Sequence, residues 1–134
     1  MQIAFFDSGI GGLTVLHQAR RQMPREDFLY YADTDHVPYG RKTKEEIRQC
    51  VREAVDFIAQ QDVKALVVAC NTATSVAIQD LRARYSFPIL GMEPAVKPAV
   101  SDTSCTKRIL VTATPVTIRE EKLQNLLHQV DQHH

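Results

Sequence analysis

The sequence predicts an α/β fold built on a parallel sheet with helices on both faces. Short apolar runs alternate with amphipathic stretches in the order β-α-β-α-β-α-β. Glycine-rich or small polar residues follow most of the strand-like runs, where turns are required. The composition agrees: 44% hydrophobic and 24% charged residues over 134 positions describe a globular chain with enough material for a real core.

Ile3 to Phe6 reads as the first strand, followed by Asp7-Ser8-Gly9-Ile10-Gly11-Gly12 and a helix from about Leu13 to Gln22. Phe28 to Ala32 is the second strand, and Asp33 to Arg41 a loop. Thr43 opens the next helix. With Glu46 three residues on it forms a capping box, and Ile47, Cys50, Val51, Ala54, Val55 and Ile58 recur at helical spacing behind it. Ala65 to Ala69 is a third strand, Ala73 to Tyr85 a third helix, Pro88 to Gly91 a short fourth strand and Pro94 to Val100 a brief helix. Ser101 to Lys107 is small and polar, the best linker in the chain. Beyond it, Arg108 to Val111 reads as a fifth strand. Thr114 and Pro115 then supply a cap and a first-turn proline, and Leu123, Leu126, Leu127 and Val130 mark a helical face. The expected organisation is a first α/β domain over residues 1–100 and the start of a second over residues 101–134. The second has too few elements for a core of its own, so the chain reads as truncated.

Sixteen basic residues balance sixteen acidic ones, which argues against a broad nucleic-acid-binding face. The longest apolar runs, such as Ala65 to Cys70, are far too short for a helical membrane span. The amino terminus lacks the basic start and apolar stretch of a signal peptide, so a cytoplasmic location is expected. Cys50, Cys70 and Cys105 are an odd number without paired spacing and read as free thiols. The five histidines show no metal-ligand pattern, and no metal or cofactor is expected.

Ligands of open α/β sheets bind beyond the carboxyl ends of the strands. Four sequences fall there: the Asp7–Gly12 loop, Asp33 to Gly40, Cys70-Asn71-Thr72, and Glu93-Pro94. Gly9, Gly11 and Gly12 permit a tight turn and close approach to an anion, and the helix that follows offers unpaired N–H groups. The loop is not a P-loop, because no Gly-Lys-Ser/Thr follows. As a dinucleotide fingerprint it lacks the third glycine, since Thr14 stands there; Asp33 is placed where a ribose-binding acid would sit. Cys70 ends a strand and opens a helix, a setting that favours a reactive thiol, although cysteines in valine-rich strands are also ordinary core residues. No histidine neighbours it to form a Cys-His pair. Cys50 lies on an apolar helix face and reads as core; Cys105 precedes the fifth strand, on the opposite edge from Cys70.

Asp7-Ser8-Gly9-Ile10-Gly11-Gly12-Leu13-Thr14-Val15, Pro38-Tyr39-Gly40, Ala69-Cys70-Asn71-Thr72-Ala73 and Glu93-Pro94-Ala95-Val96-Lys97-Pro98 together resemble glutamate racemases, in order and spacing, over the whole chain. The resemblance implies a cofactor-independent enzyme that interconverts L-glutamate and D-glutamate and supplies the D-isomer for peptidoglycan. It implies Cys70 as one of two acid/base thiols, Asp7 as a carboxylate near it, and substrate contacts from Ser8, Tyr39, Gly40, Asn71, Thr72, Thr114 and Thr117. It also implies homodimers. Racemisation removes the Cα proton on one face and delivers a proton on the other, which calls for two opposed acid/base groups. The family's second cysteine lies in a Cys-Thr-His element, and no such element follows Cys70 here. Two other readings stand beside this one: a non-catalytic fragment that binds an amino acid or a partner, and a nucleotide-binding domain.

Overall fold

Alternation along a strand sends successive side chains to opposite faces of the sheet, and here both faces are covered. The computed structural model describes residues 1–102 and 108–131. Four strands, β1 (Gln2–Asp7), β2 (Phe28–Ala32), β3 (Val63–Val68) and β4 (Ile89–Gly91), form one parallel sheet in the order β2-β1-β3-β4. The helices are α1 (Leu13–Gln22), α2 (Lys44–Ala59), α3 (Asn71–Arg84), α4 (Val96–Ser101), α5 (Pro115–Arg119) and α6 (Glu121–Asp131). The crossover through α1 runs toward one edge of the sheet; those through α2 and α3 run back toward the other. Right-handed connections therefore place α1 on one face and α2 with α3 on the other.

Ala4, Phe6, Leu66 and Val68 face α2 and α3 and join Ile47, Val51, Val55, Ile58, Ala77 and Leu81 in the main core. Each fully buried Val, Leu or Ile there contributes about 1.5–3 kcal/mol relative to exposure. Phe5, on the opposite face, packs against Phe28 with ring centroids 5.9 Å apart. The α2 start carries the expected capping box: the Glu46 N–H donates to Thr43 Oγ1 at 3.3 Å, and the Thr43 N–H donates to Glu46 Oε2 at 2.7 Å. A smaller cluster, Val96, Leu123 and Leu126, joins α4 to α6.

Three sequence expectations change. Residues 108–111 form no strand, since a strand needs a neighbour for its hydrogen bonds and none is at hand among the described residues. Ile109 and Leu110 are left exposed there. The helix after Thr114 is two helices that break at Glu120. The loop from Asp33 to Arg41 contains two 3-10 turns, Thr34–His36 and Tyr39–Arg41. The end of the expected linker, with Cys105, lies outside the described residues.

Gly91, at the end of β4, shows how tightly α3 seats on the sheet. A Cβ there would lie 2.6 Å from Thr74 Cγ2 and 3.1 Å from Ile78 Cδ1. Thr74 cannot rotate away freely, because its hydroxyl donates to the Val68 carbonyl and accepts the Met92 N–H. Gly91→Ala should therefore cost about 1–3 kcal/mol of stability, as overpacking does. Urea denaturation checks this through a lowered midpoint at unchanged slope.

Candidate active site

β1 is the strand at which the sheet changes direction: its own crossover leaves toward β2, while β3 lies on its other side. The helices following β1 and β3 diverge to opposite faces, and a crevice opens between the two strand ends. That crevice is a cleft of about 500 Å³, lined by Asp7, Gly11, Gly12, Cys70, Asn71, Thr72, Glu93, Thr114 and Thr117 among others.

Cys70 is the N-cap of α3. Its sulfur accepts the Ala73 N–H at 3.4 Å and lies 3.5 Å from the Ser8 hydroxyl. The side chain is thus held at a helix amino terminus, where the dipole favours negative charge. Asp7 is 7% exposed, and its Oδ2 accepts the Gly12 N–H at 2.9 Å. No described glycine has positive φ, so the loop is not glycine-rich for left-handed backbone. Gly12 is required by space instead. A Cβ there would meet Ala69 Cβ and Asp7 Cβ at 2.9 Å and the Tyr30 hydroxyl at 3.1 Å.

Tyr30 is the residue that sequence reasoning missed. Its hydroxyl donates to the Gly9 carbonyl at 3.0 Å. Burial first, then the Asp7 carboxylate, with a smaller effect from Cys70, push its phenol up to about 12. Nothing in the run Phe28-Leu29-Tyr30-Tyr31-Ala32 marks Tyr30 over Tyr31; only the register, which sets Phe5 beside Tyr30, assigns it to this side of the sheet.

The opposite wall is a cluster of three hydroxyls. Thr72 Oγ1 lies 3.0 Å from Thr114 Oγ1, Thr114 Oγ1 lies 3.0 Å from Thr117 Oγ1, and Thr117 Oγ1 donates to Thr72 Oγ1 at 3.2 Å. Thr114 also caps α5 by accepting the Thr117 N–H. Among the described residues no Lys, Arg or His lines the cleft. An anion there would meet hydroxyls and the first-turn N–H groups of Asn71 and Thr72, which have no intrahelical partner.

Of the residues singled out from sequence, Asp7, Cys70, Asn71, Thr72, Thr114 and Thr117 line the cleft, and Ser8 reaches it through Cys70. Tyr39 and Gly40 are not among the lining residues. Tyr39 is buried, and its hydroxyl donates to Asp33 Oδ2 at 2.6 Å; Gly40 backs onto Thr114, whose side chain a Cβ would approach to 3.1 Å. The Asp33 carboxylate also binds His36 Nδ1 at 2.7 Å, so the acid required by a nucleotide reading is already engaged.

Residues 13–133 match the family described as Asp/Glu/Hydantoin racemase. The chain is 60% identical over 130 residues to a glutamate racemase of Halothermothrix orenii, covering 97% of this chain and 51% of that protein. It is 54% identical over 136 residues to glutamate racemase 2 of Bacillus subtilis, covering 99% and 51%. Its fold matches the solved glutamate racemase of Aquifex pyrophilus with a TM-score of 0.85 at 39% identity, over 97% of this chain and 52% of that one. The Thermus thermophilus glutamate racemase, solved with beta-chloro-D-alanine, gives a TM-score of 0.76 at 42% identity, over 92% and 47%. The chain spans about half the length of the curated relatives it matches.

All four tyrosines have raised phenols: Tyr30 and Tyr85 to about 12, Tyr31 and Tyr39 above their ordinary value, each mainly through burial. The folded chain therefore holds these protons more tightly than the unfolded chain. Their contribution to stability is full below about pH 10 and is lost as pH rises toward about 12. Phenolate absorbance should show no step at about pH 10, and should rise together with loss of the helical circular dichroism. Normal titration of the tyrosines in the folded chain would contradict the burial described.

Proposed function

The chain belongs to the Asp/Glu/Hydantoin racemase family, and from that premise we propose that it carries part of the active site of a cofactor-independent glutamate racemase, with Cys70 as the acid/base thiol for one face of the substrate Cα. The supporting observation is the Cys70 sulfur held at the amino end of α3, beside Ser8, in a cleft walled by neutral donors.

In this reading the Cys70 thiolate takes the Cα proton of glutamate and its thiol returns one. Charge then spreads into the substrate α-carboxylate. The Thr72, Thr114 and Thr117 hydroxyls and the N–H groups of Asn71 and Thr72 stabilise it as it develops. The backbone N–H of Ser8 offers a further donor, and that of Gly40 would join it once the substrate draws the Tyr39–Arg41 turn toward the cleft. Asp7, oriented by the Gly12 N–H, holds or relays the proton that passes through the sulfur. Tyr39 acts from behind the cleft, by fixing the turn on which Gly40 meets Thr114. A second acid/base group must approach the opposite face of Cα. Among the described residues the cleft lining contains one cysteine.

The same reading places the product, D-glutamate, on the route to peptidoglycan. It takes the cytoplasm as the site of action, where free thiols such as Cys50 and Cys70 persist. It includes pairing of two copies, which would cover the exposed Ile109 and Leu110. No described helix is long and apolar enough to cross a membrane.

A one-thiol site exchanges the α-proton and returns it to the face it left. The 134-residue chain should therefore exchange the Cα hydrogen of one glutamate enantiomer in deuterium oxide, followed by proton NMR, without losing optical activity. Cys70→Ala should lower that exchange by at least about 10²–10⁴-fold. Glutamate binding, seen by calorimetry, without Cys70-dependent exchange would reduce the chain to a binding fragment and remove the thiol from the chemistry.

A further inference from the structure

Outside the cleft, on the far side of Tyr39, three side chains of different chemistry converge. An Asp33 carboxylate oxygen, a His36 ring nitrogen and the Cys50 sulfur all lie within 4.8 Å of one another. Asp33 follows β2 and is 5% exposed, His36 ends the 3-10 turn three residues later, and Cys50 projects from the buried face of α2. Neither motif order nor spacing links Cys50 to the other two; the packing of α2 against the loop does.

We propose that Asp33, His36 and Cys50 form a binding site for one divalent transition-metal ion of the zinc class, with solvent as a fourth ligand. The donor set decides the class. Carboxylate, imidazole and thiolate together suit zinc and its neighbours, whereas calcium and magnesium take oxygen ligands. A tetrahedral centre with bonds of about 2.0–2.3 Å holds its ligand atoms roughly 3.3–3.8 Å apart, inside the 4.8 Å within which the three atoms lie. Asp33 Oδ1 and His36 Nδ1, now 2.7 Å apart in a hydrogen bond, need only separate by about 1 Å to admit the ion.

The surroundings support the site. Tyr39 donates to Asp33 Oδ2, leaving Oδ1 for the metal, an outer-shell contact of the kind that orients ligating carboxylates. The His36 side chain is 45% exposed, which gives an entry path and room for water. Burial and the Asp33 carboxylate push the Cys50 thiol up, so without a cation it stays protonated. The incoming ion displaces the Cys50 thiol proton to solvent, and His36 binds as a neutral imidazole through Nδ1 with its proton on Nε2. One dication then balances one carboxylate and one thiolate in a largely buried place. The proposal stands on this geometry alone and is independent of the proton-transfer reading of the cleft.

Cobalt(II) titration of the full chain tests it, because a thiolate ligand gives sulfur-to-cobalt charge-transfer absorption that the histidines near the carboxyl terminus cannot produce. The expected result is one equivalent of cobalt with that absorption, displaced by zinc. Cys50→Ser should abolish the absorption, while Cys70→Ser and Cys105→Ser retain it. His36→Ala, on an exposed turn that tolerates the change, should weaken cobalt binding at least about tenfold with unchanged far-ultraviolet circular dichroism. No sulfur-to-cobalt absorption at excess metal would overturn the proposal. So would absorption lost with Cys70 or Cys105 but kept without Cys50, or unchanged affinity in folded His36→Ala.

Discussion

β1 takes a parallel partner on each edge, with Ile3 aligned to Phe28 of β2 and to Ala65 of β3. Because connections between parallel strands are right-handed, this pairing forces the helices after β1 and β3 onto opposite faces. Among the described residues no side chain fills the space where they part. The Asp7 and Cys70 positions, at neighbouring strand ends, are thereby delivered to the same opening from sequence positions far apart. Gly12 then closes the floor: with no Cβ it lets the loop settle against Asp7, Ala69 and Tyr30 at distances a larger residue would not allow. The ladder also continues past the strands, with the Ala69 N–H on the Phe6 carbonyl and the Asp33 N–H on the Asp7 carbonyl. The three strand ends therefore stay in fixed register right up to the cleft.

Among the described residues the cleft offers neutral donors and no cationic side chain. Its donors are threonine hydroxyls, backbone N–H groups and an asparagine, and the Glu93 carboxylate in its lining is paired with Lys122. Neutral donors strengthen as charge develops on an oxygen. The cluster of Thr72, Thr114 and Thr117 also holds residues 114–119 against α3 although their β-strand expectation upstream fails. In this part of the chain, hydroxyl contacts and the small Val96–Leu123–Leu126 cluster replace a sheet as the means of attachment.

Much of this was legible in the sequence where local chemistry and position agree. The capping box at Thr43, the glycine loop after the first strand and the Cys-Asn-Thr junction each carry their own signal, and four strands fall within a few residues of their reading. What was not legible depends on register and partners. Tyr30 reaches the glycine loop beneath the cleft only because β2 pairs with β1 so that Tyr30 lies beside Phe5. Arg108 to Val111 has the residues of a strand, but strand formation is a property of a pair. The glycines after the first strand read as a tight turn allowing close approach, and the structure adds what register alone supplies, the contacts of Gly12 with Ala69, Asp7 and Tyr30. Cys50 read as core and is buried, yet its sulfur joins a polar group that no spacing announces.

Tyr39 connects the two polar regions of the molecule. Its phenol is pushed up by burial and by Asp33, with smaller effects from Cys50 on one side and Cys70 on the other, so it lies within electrostatic reach of both sulfurs. Its hydroxyl is committed to Asp33, and the next residue, Gly40, presses on the Thr114 side chain that belongs to the hydroxyl wall. The Asp33–His36–Cys50 group is therefore joined to the cleft wall by contact, through the turn from Tyr39 to Arg41 and the position of Thr114. The close packing at Gly40 leaves that turn little room to move without moving the wall, because well-packed interiors pass on small displacements and do not absorb them. Tyr39, which the family resemblance implies as a substrate contact, is thus also placed to set the geometry of the hydroxyl wall.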